Sequence, residues 1–269
     1  MSNKIKKLLS VMRQLRHPET GCPWDRKQTY ESIAPYTIEE AYEVEDAVER
    51  KDIDALKSEL GDLLFQVVFY SQIANEDGEF SFDDVVETIT EKMVERHPHV
   101  FSNETFHNAE GQTNNWEAHK QEERSRKAAL EKRSISILDD VPKNLPALVR
   151  AKKLTKRAAT VGFDWSQTDQ VVAKIDEELA EVKAEINANT SQTCLEDEIG
   201  DLLFTVANLA RHYKIDPETA LKKTNRKFID RFHFIERKLE AADMSFEDAS
   251  LELMEEHWQT AKTVPLKID

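Results

Sequence analysis

The stretch ELGDLLFQV at Glu59–Val67 recurs as EIGDLLFTV at Glu198–Val206, 139 residues further along the chain. Four other blocks repeat in the same order: IEEAYEV at Ile38–Val44 with DEELAEV at Asp176–Val182, Gln28-Thr29 with Gln167-Thr168, KMVER at Lys92–Arg96 with KFIDR at Lys227–Arg231, and Trp116-x-x-x-Lys120 with Trp258-x-x-x-Lys262. One short match could arise by chance in a helix-rich chain. Five ordered matches indicate an internal duplication, with a period too long for a solenoid.

Each half carries a helical pattern of apolar residues. Ile38, Ala41, Val44 and Val48 follow steps of three and four, and the series from Ile175 to Ile186 does the same. The whole chain has only 6 Gly and 8 Pro, a composition that favours helix. The sequence therefore predicts an all-α protein with two homologous helical-bundle domains in tandem.

The duplication also predicts the domain boundaries. We expect an N-terminal domain over residues 1–116, a charged helical and Pro-containing linker over 117–148, and a C-terminal domain over 149–269. Turns at Asp52–Asp54 and Asn187–Ser191 should separate the two central helices of each half into a hairpin. The unbroken apolar character of GDLLF suggests a helix buried on most sides.

Charge and hydropathy exclude several classes of function. The formal net charge of -15 argues against a general nucleic-acid binder, because such proteins neutralise phosphates with Lys and Arg. The longest strongly apolar stretch, Leu63–Tyr70, is too short to span a membrane, and the N-terminus lacks the apolar core of a secretory signal. We therefore expect a cytoplasmic protein. Cys22 and Cys194 suggest neither a disulfide framework nor a metal-ligand pattern.

Four acidic residues of the second half should converge. Glu178 and Glu181 are three residues apart on one helix, and Glu198 and Asp201 are three apart on the next, so each pair shares a helix face. Four acids meeting beside an apolar wall would repel one another, and a divalent cation would resolve the conflict. Mg²⁺ is the natural candidate because it takes oxygen ligands and is often shared with substrate phosphates. An ExxE pair alone would more often be a solvated helix face.

Candidate substrate-binding residues surround this cluster in the sequence. Lys174 extends the acidic face by one turn, and Lys227 and Arg231 form an i,i+4 pair that could hold two phosphate oxygens. Asn225 could orient a phosphate or a sugar, and Trp258 could stack on a base. Each of these residues could instead have an ordinary structural role.

The combination of EExxE, then ExxD followed by LLF, then KFxxR resembles the MazG nucleoside triphosphate pyrophosphohydrolases. The resemblance covers essentially the full chain and includes RHPHVF at Arg96–Phe101 and VGFDW at Val161–Trp165. It implies an all-α tandem protein, expected to be a homodimer, that hydrolyses nucleoside triphosphates to monophosphate and pyrophosphate with Mg²⁺, or with Mn²⁺ as the substitute ion. Nucleotide-pool housecleaning or alarmone control would be its role.

The resemblance also assigns roles to individual residues. It implies that Glu178, Glu181, Glu198 and Asp201 bind the metal and are catalytic. It implies that triphosphate contacts come from Lys174, Lys227 and Arg231, and that Trp258 lies on the base side; with Glu177 and Asn225 these make the predicted substrate-binding set. Glu177 or a ligand carboxylate could accept the proton of the attacking water, and the sequence does not choose between them.

The resemblance further suggests that the N-terminal half is catalytically weak or structural. That half retains Glu40, Glu43, Glu59 and Asp62 at the equivalent acidic positions. It has Tyr36 in place of Lys174 and Thr90 in place of Asn225. Losing a cation and an amide should weaken triphosphate positioning more than metal binding.

Two alternatives stay open at this level. A specialist hydrolase for one modified, deoxy or alarmone nucleotide would keep the same fold and chemistry. A non-catalytic helical dimerisation or regulatory module would bind divalent ions without releasing pyrophosphate.

Overall fold

The computed structural model describes residues 3–101, 136–139 and 141–263, and these contain helices and turns but no β-strand. The chain divides into two compact units, with the division between residues 121 and 122. The predicted all-α tandem architecture is confirmed. No helix in the described ranges is both long enough and apolar enough to cross a membrane.

The first unit is built around a helical hairpin. Its helices are α1 (Asn3–Leu15), α2 (Tyr30–Glu49), α3 (Ile53–Glu76), α4 (Phe82–Arg96) and the short α5 (Pro98–Phe101), with a 3-10 turn at Asp25–Lys27. Helices α2 and α3 pack against each other along the hairpin, and both α1 and α4 contact α3. Met12, Ile33, Val68, Phe69 and Ile73 form the buried core of this unit.

Polar caps explain where the hairpin helices of the first unit begin. Thr29 and Ser32 form a capping box at the start of α2. The carboxylate of Asp52 accepts a hydrogen bond from the backbone N–H of Ala55 at 2.9 Å and starts α3. Such caps satisfy backbone groups that have no partner within the helix. The turn therefore lies at residues 50–52, within two residues of its predicted position.

The second unit repeats the hairpin. Its helices are α6 (Ala147–Ala159), α7 (Thr168–Ala188), α8 (Gln192–His212), α9 (Pro217–Ala241) and α10 (Leu251–Thr263). Helices α7 and α8 form the hairpin, α6 packs on α8, and α9 contacts α6, α8 and α10. Its buried side chains include Val171, Val182, Ala207, Ile235 and Leu239.

The turn of the second hairpin has its own termination signals. Asn189 ends α7 in the left-handed conformation with φ of 49°, which Asn tolerates better than most residues. Ser191 then begins α8 by accepting a hydrogen bond from the backbone N–H of Cys194. The turn occupies residues 189–191, inside the predicted Asn187–Ser191 segment.

Part of the predicted linker, and the repeat at Trp116 and Lys120, lie outside the described residues. Within the described part of the linker, residues 136–139 and 141–146 form turns, and α6 begins at Ala147. The boundaries 1–116, 117–148 and 149–269 stay predictions.

The GDLLF segment is less buried within one chain than its composition suggests. On α8, Ile199, Leu203 and Val206 are 42, 52 and 43 % exposed. Steps of four and three place these side chains on one helix face, whereas the opposite face carries the buried Thr205 and Asn208. The expected burial on most sides is therefore wrong within one chain, because this face of α8 stays exposed to solvent.

Candidate metal and triphosphate site

The hairpin of the second unit brings three of the predicted carboxylates together. Glu178 on α7 and Glu198 and Asp201 on α8 each offer one oxygen, and these oxygens lie within 4.8 Å of one another. Glu178 is buried, with 5 % of its surface exposed. The facing positions follow from the antiparallel helices, since Glu178 precedes the turn and Glu198 follows it.

Glu181 lies at the edge of this cluster. A hydrogen bond shared with Glu178, burial, and the negative charges of Glu178 and Glu198 together raise the pKa of Glu181 above its ordinary value. A raised pKa is the signature of carboxylates crowded together. Glu181 therefore interacts with two members of the cluster, whereas the three closest oxygens come from Glu178, Glu198 and Asp201.

Lys174 is part of the acidic cluster. Its ammonium group forms ion pairs with Glu177 and with Glu178, each at 3.0 Å. Hydrogen bonds to these two carboxylates, outweighing the effect of burial, raise the pKa of Lys174 above its ordinary value. In this structure the lysine thus neutralises carboxylates, one of them nearly inaccessible to water.

The first unit holds a second acidic cluster at the repeated positions. Oxygens of Glu40, Glu43 and Glu59 lie within 4.8 Å of one another. Burial, followed by the charges of Asp62 and Glu43 and a hydrogen bond with Glu43, raises the pKa of Glu40, and a hydrogen bond from Gln66 acts in the opposite direction.

The two units differ beside these clusters. Tyr36, at the position of Lys174, lies edge-on to Trp24 with 6.0 Å between ring centroids. The first unit therefore places an aromatic contact where the second has an ion pair.

Sequence reasoning missed one polar position next to the acids. Gln66 is 8 % exposed, and a hydrogen bond links it to Glu40. Thr205, which is 5 % exposed, occupies the same place in the repeated block. The sequence did contain a signal for this position, because Gln66 and Thr205 are the polar residues in the otherwise apolar runs LLFQV and LLFTV.

The remaining substrate-binding candidates lie on α9 and α10. Arg231 packs over Trp258, with its guanidinium carbon 5.5 Å from the ring centroid. The Phe228 ring lies against the same indole, with 5.2 Å between the ring centroids. Lys227 and Asn225 are exposed on α9. Among the residues that the structure describes, neither Lys227 nor Arg231 forms an ion pair with an acidic side chain. No described acid therefore neutralises either cation, and their contact with a triphosphate stays a prediction.

The VGFDW segment is held in place by a polar cluster that the sequence did not reveal. The Asp164 carboxylate accepts a hydrogen bond from Arg211 at 2.5 Å and lies 3.1 Å from the His212 ring nitrogen. Arg211 also donates to Asn208, which is 2 % exposed. The cluster joins the loop before α7 to the end of α8.

Replacement of Asp164 should weaken the second unit in a pH-dependent way. Burial raises the pKa of Asp164, but the hydrogen bond and charge of Arg211 outweigh it and hold the pKa below its ordinary value. A lowered pKa stabilises the fold above the ordinary titration range, and this contribution disappears as the pH falls through the lowered pKa. We expect Asp164→Asn to cost about 1–3 kcal/mol at pH 7.

Chemical denaturation of the wild type and the Asp164→Asn variant at pH 7, 5 and 4 would measure the difference between their free energies of unfolding. This difference should begin to decrease only near pH 4. Asp197→Asn, an exposed aspartate on α8, is the matched control and should change stability little. An equal loss in the two variants would contradict the anchoring role of Asp164.

The donor set of the second unit suits a small, hard cation. Octahedral Mg²⁺ with oxygens at about 2.1 Å places neighbouring ligands about 3 Å apart and opposite ones about 4.2 Å apart. The oxygens of Glu178, Glu198 and Asp201 already lie within 4.8 Å of one another. Small side-chain adjustments would satisfy such an ion, and two helices of one hairpin supply the ligands.

Comparison with known proteins gives a family match that spans both hairpins. The family model described as the MazG nucleotide pyrophosphohydrolase domain matches residues 28–101 and 167–234, which contain both hairpins. The chain belongs to the MazG family. The two matched segments agree with the tandem arrangement seen in the structure, and the resemblance drawn from the sequence is confirmed.

Two relatives match nearly the whole chain. A protein of Escherichia coli (strain K12) named nucleoside triphosphate pyrophosphohydrolase is 50% identical over 261 residues, covering 97% of each chain. The nucleoside triphosphate pyrophosphohydrolase/pyrophosphatase MazG of Thermotoga maritima is 42% identical over 258 residues, covering 96% of this chain and 95% of its own. Similarity at this coverage includes both units of the MazG fold.

Proposed function

We propose that this protein hydrolyses nucleoside triphosphates to nucleoside monophosphates and pyrophosphate, with Mg²⁺ held by the carboxylates of the second unit. The observation that carries the proposal is the convergence of Glu178, Glu198 and Asp201 within 4.8 Å across the α7–α8 hairpin. Full-length relatives with that activity in their names support it. Mn²⁺ is the substitute ion that the same oxygen ligands would accept.

Each residue of the candidate site has a separate proposed role. Glu178, Glu198 and Asp201 hold the ion, and Glu181 completes the set from the edge of the cluster. When bound, Mg²⁺ would supply charge neutralisation on the phosphate oxygens and activation of water. Lys227 and Arg231, neither of which forms an ion pair with an acid in the described part of the chain, would hold the departing pyrophosphate. Glu177 is exposed beside the cluster and is one candidate for accepting the proton of the attacking water.

Product analysis tests this proposal. Incubation of the full chain with ATP and Mg²⁺ should yield AMP and pyrophosphate, resolved by ion exchange. ADP and phosphate would redirect the assignment to a different phosphohydrolase. Stabilisation by Mg²⁺ without any nucleotide cleavage would favour the non-catalytic regulatory module instead. Turnover of all common NTPs and dNTPs separates a broad hydrolase from a specialist for one modified, deoxy or alarmone nucleotide.

We also propose that the protein works as a homodimer. The exposed face formed by Ile199, Leu203 and Val206 lies on α8, the helix that carries two of the metal ligands. Exposed apolar patches of this kind mark association surfaces, and a second copy of the chain would present the same face. Dimerisation would remove these side chains from water and stiffen the helix that holds Glu198 and Asp201.

A charge placed on this face should disrupt the dimer. We expect Leu203→Asp to shift the protein from dimer to monomer in size-exclusion chromatography with light scattering, since an aspartate cannot be buried unpaired in an apolar interface. Thr193→Asp adds the same charge at an exposed position of α8 and is the matched control. A wild-type protein that is already monomeric at micromolar concentration would rule out the dimer.

A further inference from the structure

The lysine of the second unit and the metal expected there need the same carboxylate. Lys174 Nζ lies 3.0 Å from Glu178 Oε1, and Glu178 also offers an oxygen to the cluster with Glu198 and Asp201. The Glu178 side chain is 6 % exposed, so little water is available to screen either partner. A cation bound at Glu178 would repel the ammonium group only a few ångströms away.

The ion pair can nevertheless open without unfolding the helix. Lys174 lies one turn before Glu178 on α7 and has a long, flexible side chain that is 31 % exposed. Glu177, its other partner at 3.0 Å, has a side chain that is 58 % exposed. Ion pairs at the surface are weak, so Glu177 holds the lysine only weakly. The lysine can therefore leave Glu178 and turn towards solvent, where the phosphates of a substrate would arrive.

We propose that Lys174 acts as an exchangeable counter-ion: it holds Glu178 while the site is free of metal, and binding of a divalent cation releases it to the substrate's phosphates. The proposal rests on the proposed function for its last step, the transfer to a triphosphate. Its first step, release by the metal, concerns only this chain and a divalent ion.

The first unit has an acidic cluster but no lysine at the position equivalent to Lys174. Tyr36 takes the place of Lys174 and packs against Trp24 rather than against an acid. The duplicated chain has thus kept the acidic cluster in both halves and the exchangeable cation at this position only in the second. On this proposal the second unit delivers a free ammonium to an anionic substrate when the metal arrives, and the first unit cannot.

Amine labelling followed by mass spectrometry tests the exchange in the full chain. An acylating reagent must reach the amine nitrogen, and the contact at 3.0 Å between Lys174 Nζ and the nearly buried Glu178 carboxylate restricts that access. Lys174 should therefore react slowly without metal, severalfold faster with Mg²⁺, and slowly again with Mg²⁺ and the non-cleavable analogue α,β-methylene-ATP. Lys183, exposed on the same helix, should react equally in all three states.

Labelling of Lys174 that does not change on adding Mg²⁺ would overturn the proposal, as would calorimetry showing that no Mg²⁺ binds. An increase with Mg²⁺ that the analogue fails to reverse would overturn the transfer to the substrate. The release of Lys174 by Mg²⁺ is measured without nucleotide, whereas the proposed activity is measured by nucleotide cleavage. Failure of the exchange and failure of the activity therefore give different results.

Metal affinity provides a second measurement that does not depend on activity. In a full-length background with Glu40→Gln and Glu43→Gln, which removes two carboxylates of the first cluster, we expect Lys174→Met to tighten Mn²⁺ binding about fivefold by electron paramagnetic resonance titration. Lys183→Met removes the same charge from the same helix and measures the general electrostatic effect. Equal changes in the two variants would show that Lys174 does not compete with the metal.

Discussion

Glu178→Gln should lower kcat/KM for nucleoside triphosphates by about 10³-fold or more, a loss typical of removing a group that organises the charges of the transition state. Glutamine has nearly the same shape but carries no charge. Glu178 is 5 % exposed and lies at the centre of the site, next to two further carboxylates and in an ion pair with Lys174. Neutralising it removes a proposed metal ligand and leaves the lysine without its buried partner.

The duplication supplies a matched control for this variant. Glu40→Gln makes the same change at the equivalent position of the first unit, where Tyr36 replaces the lysine. We expect this variant to keep most of the wild-type activity. Steady-state kinetics of both purified variants, with thermal unfolding to show that each is folded, would make the comparison. Equal losses would mean that the first unit contributes to turnover as much as the second.

The sequence was sufficient for the fold because the decisive information was local and repeated. The three- and four-residue steps of apolar residues indicate helices, and recurrence of EIGDLLFTV identifies the second hairpin. The turn at residues 189–191 falls within the predicted segment, since Asn189 and Ser191 are residues that end and begin helices.

The convergence of carboxylates could also be predicted, but their detailed pairing could not. Spacing within one helix fixes which side chains share a face, so Glu178 and Asp201 were expected to meet across the hairpin. The rotation of α7 against α8 decides which three oxygens come closest, and periodicity does not give that rotation. Periodicity also does not show that Lys174 forms an ion pair with Glu178.

Contacts between residues far apart in the chain were beyond sequence reasoning. Asp164 and Arg211 are 47 residues apart, and Arg231 on α9 packs over Trp258 on α10. Nothing in the local pattern around Asp164 distinguishes a buried ion pair from an ordinary loop aspartate. The exposure of Leu203 was missed for a related reason: an apolar helix face predicts burial but not whether its partner is in the same chain.

Removal of the divalent cation should abolish turnover completely and should also destabilise the second unit. Glu178, Glu198 and Asp201 repel one another, and Lys174 is positioned against Glu178 within the group. A bound ion adds stability of RT ln(1 + [L]/Kd), which is about 2.7 kcal/mol at a concentration of one hundred times Kd. Chelation with EDTA should therefore lower the melting temperature as well as stop nucleotide cleavage, and added Mg²⁺ should restore both.

The choice of ion distinguishes binding from catalysis in the same experiment. Ca²⁺ is larger and takes six to eight loosely arranged oxygens, whereas three carboxylates on a rigid hairpin favour the compact octahedron of Mg²⁺. We expect Ca²⁺ to recover part of the melting temperature but little of the activity, and Mn²⁺ to recover both. In the Glu178→Gln variant, Mg²⁺ should raise the melting temperature less than in wild type. Full activity in EDTA-treated protein would exclude metal-assisted hydrolysis and leave Lys174, Lys227 and Arg231 as the charges that act on the triphosphate.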